Sequence, residues 1–310
     1  MTEKKSRNRT IKLTREEEKR YSKELAVLSG SASLNKVVNK IINQDFFEAV
    51  DCFPQKSVDL LILDPPYNLG KNFNGLKFKP MSIAEYSEWI ENVIVKLIPL
   101  LKPDASVYFC SDWKTSTSVH LVLEKYFKVR NRITWEREKG RGSKMNWKNN
   151  SEDIWFCTLS NKYLFNIDSV KVRRKVIAPY KVDGKPKDWL EENGSQVRIT
   201  HPSNIWNDIS VPFWSMPENT DHPTKKPEKL IAKLILASSK KGDVVLDPFA
   251  GSGTTCAVAK KLDRKFIGIE INSVYASLAL KRLEIAETNR EIQGYKEGIF
   301  WERNSFPYQK

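Results

Sequence analysis

Short apolar runs, each stopped by an acid, a proline or a glycine, recur along the chain at the spacing of strands in an α/β sheet. Leu60-Leu61-Ile62-Leu63 closes the run that begins at Val58 and ends in Asp64-Pro65-Pro66-Tyr67. The run reads as a buried parallel strand, and the prolines, which cannot continue a central strand, mark its carboxyl end. Before it, Val37 to Ile42 has strand character and Phe46 to Cys52 reads as a short helix. After it, Ser82 to Leu101 carries Tyr86, Trp89, Val93, Ile94, Leu97 and Leu101 on one helical face, and Pro103-Asp104 ends it. Ala105 to Cys110 is the next strand, Thr117 to Phe127 a helix and Val129 to Trp135 a strand. Asp153 to Thr158 is again strand-like, with Lys162 to Phe165 as a hairpin partner. This alternation predicts a doubly wound α/β fold.

The rhythm lapses over residues 166–220, which are rich in lysine, arginine and proline, and resumes with the helix Lys229 to Ser238. Asp243 to Asp247 is then a strand, Pro248-Phe249-Ala250-Gly251-Ser252-Gly253-Thr254-Thr255 a glycine turn and Cys256 to Leu262 a helix. Phe266 to Ile271 is a further strand with Glu270 near its end. At the other extreme, Thr14 to Leu28 reads as a helix, with Thr14 and Glu17 spaced as a capping box. The divisions are a basic arm (1–33), a sheet half carrying the proline corner (34–165), an inserted region (166–220), a half carrying the glycine turn (221–290) and a tail (291–310). The arm is expected to be a solvated tail before its helix.

Composition narrows the class. Forty per cent hydrophobic residues with nine tryptophans describe a globular chain, and no apolar run reaches the length of a membrane span. The N-terminus leads into no apolar segment, so no secretory leader is expected. Cys52, Cys110, Cys157 and Cys256 lack paired spacing and there are three histidines, which predicts reduced thiols, a cytoplasmic protein and no metal. A formal net charge of +14 favours a polyanionic partner. Candidate phosphate contacts are Arg137, Lys139, Arg141, Lys144 and Lys148, interleaved with Trp147 in a glycine-bearing loop, and Arg173, Arg174 and Lys175 in the inserted region.

The two strand ends carry the candidate chemistry. A carboxylate, a rigid carbonyl and an aromatic ring at Asp64-Pro65-Pro66-Tyr67 suit an amino group on a flat heterocycle. The turn at Gly251 and Gly253 lacks the Gly-Lys-Ser/Thr of a phosphate loop, and Cys256 stands where a dinucleotide fold prefers glycine or alanine. A nucleoside cofactor without a pyrophosphate is the remaining reading, with Glu270 available to ribose hydroxyls.

Together, Asp64-Pro65-Pro66-Tyr67 and the later Asp247-Pro248-Phe249-Ala250-Gly251-Ser252-Gly253 resemble the amino-group (N6-adenine and N4-cytosine) DNA methyltransferases. The order, corner before glycine turn, is similar to their permuted β group, as is His222-Pro223-Thr224-Lys225-Lys226-Pro227-Glu228. The resemblance spans about 35–285 and implies a mostly parallel, circularly permuted sheet of the S-adenosylmethionine-dependent type. By resemblance, Asp64, Pro65, Pro66 and Tyr67 are catalytic, and Asp247, Phe249, Gly251, Gly253 and Thr254 line S-adenosylmethionine. Glu270 would hold its ribose, Asp45 its adenine amino group, and Thr224 and Lys226 its carboxylate; Asp45 could equally cap the helix that follows it. The implied partner is double-stranded DNA, with target recognition in 166–220; a homodimer and a cognate restriction endonuclease are compatible with the resemblance. Opening on aspartate favours N6-adenine, with N4-cytosine as the alternative and RNA adenine behind it. Carbon-5 cytosine chemistry needs a Pro-Cys nucleophile, and no cysteine here follows proline.

Overall fold

The computed structural model describes residues 8–73, 76–137, 144–176, 180–192 and 194–302. Its centre is an eight-stranded sheet in the spatial order Lys40–Ile42, Lys265–Ile269, Val244–Asp247, Val58–Leu63, Leu101–Ser111, Ser151–Thr158, Lys128–Glu136 and Ile205–Trp206. All neighbours run parallel except Ser151–Thr158, which is antiparallel to both of its partners. The central strand Val58–Leu63 explains the layering. Leu60 and Ile62 pack into one hydrophobic cluster with the helices Glu228–Ser238 and Thr254–Lys261. Leu61 and Leu63 face the other cluster, with Phe46–Val50, Ile83–Leu97 and Ser116–Tyr126. Strand side chains alternate between faces, so an uninterrupted apolar run covers both layers.

Several boundaries differ from the sequence expectation, each for a local reason. Asn39 takes a left-handed φ of 58°, so Leu34–Val37 is a helical turn and only Lys40–Ile42 joins the sheet. Pro103 lies within the strand Leu101–Ser111, not at a helix end. It is tolerated because the register slips there: Val58 pairs with Leu101, but Leu60 pairs with Ser106. Residues 162–165 form no hairpin with Ser151–Thr158, whose two edges are already taken by Lys128–Glu136 and Leu101–Ser111.

The described part of the arm is docked rather than solvated: before the helix, Arg9 N and Ile11 N donate to the carbonyls of Trp214 and Asn219 at 2.7 and 2.8 Å, and residues 1–7 lie outside the described residues. Its helix, Arg15–Ser22, has the Thr14/Glu17 capping box and is shorter than expected. Tyr21 donates to Glu284 at 2.7 Å, and Lys281 pairs with Glu17 at 2.7 Å, which fixes it to the helix Ser273–Thr288.

Residues 166–220 do not form a separate body. Val172–Lys175, Leu190–Glu192 and Ser195–Thr200 build a second sheet, and Ile299–Trp301 and Tyr295–Lys296 from the C-terminal stretch complete it. Ile205–Trp206, from the same region, instead extends the main sheet. Asp208 joins the layers: its carboxylate, 4% exposed, lies 2.7 Å from Lys233 Nζ and 3.0 Å from Lys229 Nζ. Burial lowers the Lys233 ammonium to about 8, although Asp208 opposes the shift. Removing one member of a buried ion cluster strands the others in a poorly solvating interior. Asp208→Ala is therefore expected to lower unfolding free energy by about 3–5 kcal/mol, read from urea denaturation.

Candidate active site

Four adjacent parallel strands end at one place, and each contributes the residue that follows it. Asp45 follows closely after Lys40–Ile42, Glu270 follows Lys265–Ile269, Pro248 follows Val244–Asp247 and Asp64 follows Val58–Leu63. These residues line a cavity of about 350 Å³ with Pro65, Pro66, Tyr67, Thr224, Lys226, Phe249, Gly251 and Thr254. The proline corner and the glycine turn, nearly two hundred residues apart in sequence, therefore open into the same space. Ligands bind at the carboxyl ends of strands in such sheets.

The glycine-turn side is built for a hydroxyl-bearing, flat molecule. Glu270 accepts hydrogen bonds from Gly251 N and Asn272 N, both at 2.8 Å. Burial nevertheless pushes its carboxyl up to about 7, so a further pair of donors would favour the ionised form. Phe249 stacks on Phe46 at 5.2 Å between ring centres and meets Trp89 at 5.9 Å, forming an aromatic wall. Asp45 caps the helix Phe46–Val50 by accepting from Phe47 N at 2.8 Å, and its carboxylate-bearing position also lines the cavity. Asp247 is raised to about 7 by burial and accepts from Phe249 N at 3.1 Å.

The two glycines differ in role. Gly251, at φ 52°, leaves room that a Cβ would close to 3.0 Å from His222 Nε2. Gly253 does not line the cavity; a Cβ there would fall 2.5 Å from the Ala279 Cβ, so it permits the turn to pack on the helix behind. Arg282, buried, completes that support by donating to Thr254 Oγ1 at 2.8 Å and to Glu228 at 2.9 Å.

On the corner side, Tyr86 donates to the Pro66 carbonyl at 3.0 Å, fixing the chain reversal from the helix Ile83–Leu97. Lys226, expected at a cofactor carboxylate, lines the cavity with its ammonium 2.6 Å from Asp64 Oδ1 and 3.2 Å from Glu152 Oε2. The Tyr67 hydroxyl lies 3.1 Å from Asp64 Oδ1, from Glu152 Oε2 and from Lys226 Nζ. Glu152 Oε1 in turn pairs with Arg137 at 2.6 Å. Burial raises the Asp64 carboxyl, and Lys226 offsets part of that rise. For Glu152 burial acts the same way, but Lys226 and Arg137 together bring it below the ordinary range.

Nothing in the sequence pattern marks Glu152. It opens the antiparallel strand Ser151–Thr158, and only that reversed direction brings a strand's first residues to the edge where the others end. Arg137, expected on phosphates, is engaged by Glu152, and Arg173 lies over the Trp301 ring at 4.4 Å. Arg174 is half-buried, whereas Lys144, Lys148 and Lys175 are exposed; Lys139 and Arg141 lie outside the described residues. Among the described residues no group of His, Cys, Asp or Glu could hold a metal ion, the four cysteines are buried and unpaired, and no helix is long and apolar enough to cross a membrane.

Residues 58–281 match the N6_N4_Mtase family model, described as DNA methylase. The chain is 38% identical over 249 residues to the DNA adenine methyltransferase YhdJ of Escherichia coli, covering 79% of this chain and 83% of that one. It is 33% identical over 250 residues to the type II methyltransferase M.HpaI of Haemophilus parainfluenzae, covering 79% and 74%. Among solved structures, the M1.HpyAVI-SAM complex superposes with a TM-score of 0.53 at 25% identity, over 78% of this chain and 98% of that one. The cytosine-N4-specific PvuII DNA methyltransferase, at 18% identity, shares the fold with a TM-score of 0.58 over 84% and 93%.

The packing behind the glycine turn is directly testable. Gly253→Ala must both hold φ 75° with a side chain and displace Ala279. It is expected to cost about 1–3 kcal/mol or more, seen as a lowered thermal midpoint without added ligand.

Proposed function

The chain belongs to the N6/N4 DNA methylase family, and from that premise we propose that it methylates the exocyclic N6 of adenine in a specific double-stranded DNA sequence, using S-adenosylmethionine. The observation that carries this reading is the single cavity into which both Asp64-Pro65-Pro66-Tyr67 and the Gly251–Glu270 pair open. The donor set suits the cofactor. Glu270 offers a buried carboxylate for ribose hydroxyls, Phe249 a ring face, Asp45 an acceptor and Gly251 a wall without a side chain. Asp247, Thr224 and Thr254 complete that side, and Gly253 serves it through packing. S-adenosylmethionine supplies an electrophilic methyl group when bound.

The remaining work falls to the protein. An exocyclic aromatic amine is a poor nucleophile because its lone pair is delocalised into the ring. Asp64 accepting one N–H and the Pro65 carbonyl the other would favour the tetrahedral nitrogen, with Tyr67 against the base. Such positioning contributes up to about 7–11 kcal/mol in the best intramolecular cases. A base reaches the corner only after leaving the duplex, at a cost of roughly a few kcal/mol. Contacts of exposed Lys144, Lys148, Lys175, Lys181, Lys185 and Lys187 with phosphates would offset part of that cost. The second sheet and residues 144–150 are the surfaces we assign to target recognition. Adenine is preferred to N4 of cytosine because the corner opens on aspartate and the relative YhdJ is named an adenine methyltransferase. A homodimer and a partner endonuclease are proposed on the resemblance alone.

The test is to incubate the protein with unmethylated DNA and methyl-labelled cofactor, digest the DNA and identify the labelled nucleoside. N6-methyladenine is expected; N4-methylcytosine would replace the base assignment, and no labelled nucleoside would overturn the reading. Asp64→Ala should lower transfer by on the order of a thousandfold while binding S-adenosylhomocysteine as tightly as the parent protein.

Glu270 gives a second outcome. Ribose hydroxyls donate to the ionised carboxylate, so binding draws a proton off a group that titrates at about 7 in the free protein. Affinity for S-adenosylhomocysteine should rise as pH increases through about 7 and level off above it. Asp247, also near 7, contributes in the same range, so calorimetry on Glu270→Gln should show weaker binding and a flatter, not flat, profile.

A further inference from the structure

The Asp64 carboxylate, to which the proposed reaction assigns an amine, already holds a cation. Lys226 is 6% exposed, and its ammonium contacts Asp64 Oδ1 at 2.6 Å, Tyr67 at 3.1 Å and Glu152 at 3.2 Å. A lysine that stayed on Oδ1 would compete with the target's N–H for the same lone pairs. The second carboxylate removes the conflict. Glu152, 5% exposed, is within reach of the same ammonium, and a small displacement transfers Lys226 to it.

We propose that Lys226 holds, in the DNA-free protein, the place on Asp64 that the target amino group takes, and that Glu152 receives Lys226 when the base enters. Lys226 and Glu152 are positioning residues on this account, which rests on the amino-methyltransferase reading above. Asp64, Glu152, Lys226 and Arg137 balance in charge, and the handover leaves that balance unchanged. No net charge is buried or exposed by the exchange, the condition under which a buried cation can move cheaply. Tyr67, within hydrogen-bond reach of all three groups, remains bonded in either arrangement.

The groups facing Asp64 set the pH readout. They are Lys226, Tyr67 and Glu152, with Cys110 on the strand to one side, Asp247 on the strand to the other and Tyr86 from the helix Ile83–Leu97. Lys226 lowers the Asp64 carboxyl and Glu152 raises it. Removing Lys226 must therefore move the acid limb of the rate profile to higher pH, and removing the Glu152 charge must move it to lower pH.

The experiment uses the full chain and the DNA site mapped by the methylation assay. Affinities are measured, with S-adenosylhomocysteine present, for the native duplex and for the same duplex with the exocyclic amino group deleted from the target base. The parent protein should prefer the native duplex by about tenfold. Glu152→Gln should lose that preference and slow single-turnover transfer by on the order of a hundredfold, since Lys226 is left with Asp64 alone. Adding Lys226→Met to Glu152→Gln should restore both. Lys226→Met alone should bind S-adenosylhomocysteine within about twofold of the parent, with its acid limb shifted up. That single variant decides the matter if Glu152→Gln folds poorly: loss of cofactor-analogue affinity, or an unmoved limb, overturns the proposal. So do additive losses in the double variant, or an undiminished preference in Glu152→Gln. A parent protein that methylates no DNA ends the functional reading as well; one that methylates while the variants behave otherwise ends only this inference.

Discussion

Parallel pairing of Val244–Asp247 with Val58–Leu63 is the constraint from which the site follows. Val245 stands opposite Leu60 and Leu246 opposite Leu61, so the two strands finish level with one another. Asp64 and the Pro248–Gly251 turn are then neighbours by geometry, although most of the chain separates them. The apolar runs that enforce this register are buried on both faces, and a slip by one residue would exchange the side chains that meet the two helical layers. Chemistry at the strand tips is thus held by packing well beneath it.

Above that base the site divides into halves with different electrostatics. Around Glu270 and Asp247, carboxyls are buried against backbone N–H groups and carry no cation in their hydrogen bonds described above, so burial raises both to about 7. Around Asp64, two carboxylates share Lys226, with Arg137 behind. The first half is suited to neutral hydroxyl donors. The second is suited to a polar group that must be gripped and released. One cavity holds both because the late strands Lys265–Ile269 and Val244–Asp247 lie side by side between the early strands Lys40–Ile42 and Val58–Leu63.

What could be read in the sequence was what local chemistry announces. A proline pair cannot extend a central strand and a Gly-Ser-Gly turn admits left-handed backbone, so both strand ends were visible, as were the Thr14 and Ser82 helix starts. Pairing between distant segments was not. Glu152, 85 residues from Tyr67, is unremarked where it stands in the sequence, and Lys226 was read by resemblance without its contact to Asp64, 162 residues away. The direction of Ser151–Thr158 was hidden because apolar content says nothing of orientation. Basic composition was informative about the whole surface but not about single residues: Arg137 and Arg173 are claimed by an acid and by a ring.

The strand Ile299–Trp301 has a consequence for how the protein is made. It pairs with Val172–Lys175 and also with Tyr295–Lys296, so two of the five strands of the second sheet come from the last part of the chain described. The eight-stranded sheet has all its members once Ile269 is available. During synthesis the cofactor-side framework can therefore close while the smaller sheet still waits for its final strands to leave the ribosome. A polypeptide released a few dozen residues early would keep the strands that form the cavity and lack those that finish the smaller sheet.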